Sequence, residues 1–246
     1  MLTTDTLSHF AKRLQAADAT PPAGVDTALV ALLAERYDDV LAAMRGASSE
    51  NVSVAFLKGL ALLGKGELEP AAGEFRQALR AADDFLPAAF YLGACYAAGG
   101  RDEEAVGAWQ TALVTETDAR IVYDVLVDAW LRLEDAGQAL DIVTEARDRW
   151  PEDAAFLPRL AVAQAMLERH DQALATLRAY LEDHRADAEA AGLAVRLVYE
   201  AHAAGRTIES ADADRELAAK YAEWYRAAGG SNQALVDRWV AFIGRR

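Results

Sequence analysis

The residue types that most often carry chemistry are present in this chain, but they are not spaced to perform it. The four histidines, His9, His170, His184 and His202, are scattered along the sequence. They lack local pairing of the His-x-x-x-His kind, whereas a metal needs several converging ligands, so solvated or helix-end roles are expected. Neighbouring carboxylates, Asp102-Glu103-Glu104 and those of Asp212-Ala213-Asp214-Arg215-Glu216, fall at expected helix starts. There they meet the positive end of the helix dipole and need not form an acid–base pair. Gly64-Lys65-Gly66 has neither the spacing nor the hydroxyl of a phosphate loop. Cys95, the single cysteine, lies in a helical stretch of small residues and reads as a buried, inert thiol. No serine or cysteine stands in a nucleophile elbow or beside a candidate base. The expectation is a non-enzymatic protein with no catalytic residues, no cofactor and no metal.

Composition narrows the partners. The chain has 246 residues, 53% of them hydrophobic and many of those alanine, which favours helices and their close approach. Its formal net charge is −14 and its pI about 4.7. A field of that sign repels phosphate backbones, so nucleic acid and anionic membranes are poor partners. The same charge would favour a basic or apolar ligand, but its plainer reading is solubility. One cysteine excludes an intrachain disulfide. No stretch approaches the ~20 apolar residues of a membrane helix, and Met1-Leu2-Thr3-Thr4-Asp5-Thr6 lacks the regions of a secretion signal. A cytoplasmic protein, or a soluble fragment of a larger one, is expected.

The elements that position these residues repeat. Gly59, Gly66, Ala71, Phe75, Ala78 and Leu79 return as Gly93, Gly100, Ala105, Trp109, Ala112 and Leu113, each 34 residues on. The step continues through Ala139, Val143 and Ala146, followed by Pro151, and then through Ala173 and Leu177. A period of about 34 residues marks stacked helix–turn–helix units. The expected fold is all-α: a right-handed solenoid of about six hairpins with irregular end units. A first helix from about Asp5 to Ala16 precedes the Thr20-Pro21-Pro22-Ala23-Gly24 break. A degenerate hairpin follows, with Leu29, Leu32 and Leu33 on its first helix and Tyr37, Val40, Leu41 and Met44 on its second. Ser48 or Ser49 is expected to cap the next helix. Four units start near Asn51, Leu86, Arg120 and Ala154. Beyond His184 the period fails: helices are expected over 188–203 and 211–228, then a last one capped by Ser231 or Asn232. The organisation expected is residues 1–50 as N-terminal helix and degenerate hairpin, 51–185 as four repeats and 186–246 as an irregular helical cap, all within one continuous solenoid.

Leu92-Gly93…Tyr96…Gly100…Ala105…Trp109…Ala112 resembles the tetratricopeptide repeat (TPR) pattern, as does Gly59…Ala71…Phe75…Ala78. The third unit keeps Trp130, Ala139, Ala146 and Pro151 but has Val127 at a small-residue position; the fourth has Tyr180 at its last small position. The run from Ala201 to Phe242 is similar to the TPR-like tail of some bacterial von Willebrand factor A-type proteins. That points to a possible parent chain and to no activity of this one.

In that family the first helices line a groove. The resemblance implies that Phe56, Leu60, Phe90 and Tyr91 anchor a peptide or helix, with Asp124 and Asp128 attracting a basic group and Arg132 beside them. The Lys, Arg and Asn clamp that some family members use on a terminal carboxylate is missing, since Phe56, Leu60, Tyr91, Ile121 and Val125 occupy its positions. Three readings stay open: capture of a protein or peptide ligand, apolar with a basic residue; filling of the groove by the N-terminal helix through Leu7, Phe10 and Leu14; or a homodimer contact. The last two suit a structural spacer or oligomerising tail. The tryptophans read mainly as core, not as an aromatic cage.

Overall fold

A computed structural model of the chain describes residues 12–18, 22–115 and 120–245. A helical stretch over residues 12–17 precedes α1 (Val25–Leu33), α2 (Tyr37–Ala43), α3 (Val52–Gly64), α4 (Leu68–Ala81), α5 (Leu86–Ala98), α6 (Asp102–Thr115) and α7 (Arg120–Arg132). Then come α8 (Ala136–Arg149), α9 (Phe156–Met166), α10 (His170–Asp183), α11 (Ala188–Ala203), α12 (Ala211–Ala227) and α13 (Gln233–Ile243). No strand occurs among the described residues. The fold is all-α and built of TPR-like helical hairpins. The chain divides into two compact units, residues 1–129 and 130–246.

Within the first unit, α3 packs on α4, α4 on α5 and α5 on α6. The pairing rests on missing side chains. A Cβ on Gly59 would lie 2.7 Å from the Phe75 ring, so the ring presses directly on the α3 backbone. Thirty-four residues later Trp109 does the same to Gly93. Phe56 meets Phe75, Phe85 and Tyr91 at centroid separations of 5.8, 5.2 and 5.9 Å, within the range of favourable ring pairs. The N-terminal helical stretch is tied in by Asp18, whose buried carboxylate accepts a hydrogen bond from the Ser53 amide at 3.0 Å. The Ser53 hydroxyl donates to the same carboxylate.

The second unit pairs α9 with α10 and α11 with α12, while α13 packs on both α11 and α12. Its core runs from Ala161 and Leu177 through Val195 and Val198 to Tyr221 and Ile243. Pro158 sits in the first turn of α9, which begins at Phe156 and has 11 residues, a late start that suits proline near a helix N-terminus.

The hairpin turns share one backbone solution. Gly66, Gly100, Glu134 and Glu168, spaced by 34 residues, all have positive φ between 58° and 78°. The amide after each reaches back to the helix carbonyl five residues earlier: Glu67 to Leu62, Arg101 to Tyr96, Asp135 to Trp130 and Arg169 to Gln164. This is the Schellman closure of a helix C-terminus.

Several local expectations are corrected. Asn51, not Ser48 or Ser49, caps α3 by accepting from the Val54 amide at 3.2 Å. The two serines serve the Glu50 amide and the Lys58 ammonium instead. Asn232 occupies the α13 N-cap, but its side chain makes no capping bond; its amide donates to the Tyr225 hydroxyl at 2.7 Å. Of the two roles expected for the histidines, His202 takes the helix-end one, in the last turn of α11, but it is buried there, 3% exposed, with Nε2 2.9 Å from Asp214 Oδ2. Asp214 also accepts from the Ile208 and Glu209 amides, because the turn from α11 into α12 buries main-chain donors that need a partner.

Candidate functional site

α1, α3 and α5 are the first helices of successive hairpins, and their inner faces meet around a hollow of about 190 Å³. Its lining includes Leu33 from α1, Leu60 and Leu63 from α3 and Tyr91 from α5, with Glu35 and Tyr37 at the mouth. Gly64 makes room for Tyr37: a Cβ there would stand 2.4 Å from its ring, so the ring sits directly against the α3 backbone. Leu33 is 43% exposed and Val30, one turn before it, 60%. Both are large apolar residues left facing water on a helix whose other face is core. Tyr91 is half-buried, and burial pushes its hydroxyl up to about 12, so it remains a neutral hydrogen-bonding group at ordinary pH.

The mouth is charged. Arg36 pairs with Asp39 at 3.1 Å. Lys65 bridges Asp38 at 2.7 Å and Glu67 at 3.5 Å, and the hydrogen bond to Asp38 raises its pKa above the ordinary value. Glu35 makes no ion pair among the described residues. Glu35 and Tyr37 also line an adjoining hollow with Arg36, Asp38, Asp39 and Lys65, where three acids outnumber two cations and leave a net negative charge beside the mouth. The hollow can accept apolar side chains and the rim a basic one. It has no arrangement of nucleophile, base and oxyanion donors.

The expected site residues separate on inspection. Leu60 floors the hollow and Tyr91 lines it. Phe90 is half-buried and meets Tyr91 edge-on at 5.3 Å. Phe56 is 0% exposed; it supports Tyr91 from beneath and offers no surface, so it is not an accessible anchor. Asp124 and Asp128 lie half-buried on α7. The Asp124 carboxylate already holds the Arg120 guanidinium, which weakens its pull on a second cation. Arg132 is exposed and belongs to the second unit.

Sequence reasoning passed over Leu33, Glu35 and Tyr37 as groove residues, because the first hairpin carries no repeat signature. The i, i+4 pair Leu29 and Leu33, followed by an acid, was the available signal. Of the N-terminal filler, Leu7 and Phe10 lie outside the described residues. Leu14 is buried against the first core and borders a different hollow with Val25 and Leu29. Among the described residues no cluster of three or more His, Cys, Asp and Glu could hold a metal, and no helix is long and apolar enough to cross a membrane.

No family model matches the chain and no curated protein matches it. Solved structures do. A MamA crystal structure is 17% identical and aligns over 75% of this chain and 97% of its own, with a TM-score of 0.63. PilF of Pseudomonas aeruginosa is 18% identical over 79% and 84%, with a TM-score of 0.61. YrrB, described as a TPR protein with an unusual peptide-binding site, is 17% identical over 81% and 94%, with a TM-score of 0.62. At such identities the likeness is one of fold, and that fold is the TPR-like one. The expected similarity of residues 201–242 to a von Willebrand factor A-type tail finds no support in these comparisons.

Proposed function

We propose that the chain is a non-enzymatic protein-interaction module that holds a peptide or helix in the hollow between α1, α3 and α5. The observation that carries this reading is the exposure of Leu33 at the edge of a hollow lined by Leu60, Leu63 and Tyr91, with Glu35 at its mouth. A bound segment inserts apolar side chains against Leu33, Leu60, Leu63 and Tyr91 and sets a Lys or Arg beside Glu35. Groove binding of this kind rests on a few well-packed contacts, each worth about 2 kcal/mol on truncation. The peptide-binding site of YrrB supports the reading by analogy of fold. The excess acid at the rim supports a basic ligand, since complementary charge speeds encounter and fixes register.

The test is selection of short displayed peptides on the full chain, followed by affinity measurement with purified peptides. The expected result is a consensus of two apolar residues next to Lys or Arg. Leu33→Glu should abolish binding while leaving the circular dichroism unchanged, because Leu33 already faces water. No enrichment, or binding that survives Leu33→Glu, would overturn the assignment.

A further inference from the structure

We draw no further inference here: the strongest candidate, the surface patch beside α12 where Arg185 and Lys220 lie over the Trp224 ring at 5.2 and 4.6 Å, carries nothing, because Lys220 already faces Glu182 at 3.8 Å and nothing in the structure shows what covers the patch.

Discussion

The indole of Trp109 lies so close over Gly93 that a Cβ added there would stand 2.3 Å from Nε1, and that same Nε1 donates to the Phe90 carbonyl at 3.0 Å. The glycine and the hydrogen bond are one device: the ring reaches the α5 main chain only because nothing projects from residue 93. Gly93→Ala should therefore displace the ring and break the bond together, at a cost of about 2–4 kcal/mol from overpacking and an orphaned buried donor. Trp109→Ala should cost about 3–5 kcal/mol. Urea titration of both variants checks this, and a Gly93→Ala protein of unchanged stability would contradict the contact.

The turn positions make a prediction of opposite sign. Glu134 and Glu168 hold the left-handed conformation that Gly66 and Gly100 hold in the preceding hairpins, and a side chain there costs about 1–2 kcal/mol. Glu134→Gly and Glu168→Gly should each stabilise the protein by about 0.5–1 kcal/mol after the added freedom of the unfolded chain is counted. Gly66→Ala should destabilise by about 1 kcal/mol. Thermal melts of the three single variants read all three outcomes.

Alkaline pH should weaken the fold. Burial pushes the Tyr91 and Tyr221 hydroxyls up to about 12 and the Cys95 thiol up to about 11. A group whose folded pKa is raised contributes stability that is fully present below its unfolded pKa and is lost as pH rises through the folded value. Stability should therefore fall between about pH 9, where the free thiol begins to ionise, and pH 12. Tyr221→Phe should flatten that fall. In the native protein at neutral pH, Cys95 should resist a thiol reagent until denaturant is added.

The buried pair of His202 and Asp214 should be costly to split. Asp214→Ala removes the acceptor of two loop amides as well as the partner of the imidazole, and a loss of about 3–5 kcal/mol is expected. Amide exchange at Ile208 and Glu209 should accelerate selectively. Unchanged protection there would show that another group satisfies the loop.

The 34-residue step was legible because it is enforced by packing: Gly59 with Phe75 and Gly93 with Trp109 must keep their spacing for ring and backbone to meet. The burial of Phe56 was not legible. α3 reads Val-Ser-Val-Ala-Phe-Leu-Lys-Gly-Leu-Ala-Leu-Leu-Gly and is apolar on nearly every side, so periodicity does not say which side is lined by a groove and which by core. The α1 wall of the hollow was hidden for a related reason: its hairpin has the shape of a repeat without the small residues that announce one. His202 and Asp214 sit on different helices, and only the turn between them makes the pair.

The hairpin closures are made by main-chain amides and carbonyls, and the helix seams by the faces turned away from the hollow. The side chains of Leu33 and Glu35 take no part in either, although the Glu35 main chain, with φ of 53°, closes its own hairpin. Such residues are free to drift under selection, or under a protein engineer's hand, while the scaffold beneath them keeps its dimensions. New binding preferences can thus arise by repainting one inner wall, with no need to rebuild the masonry.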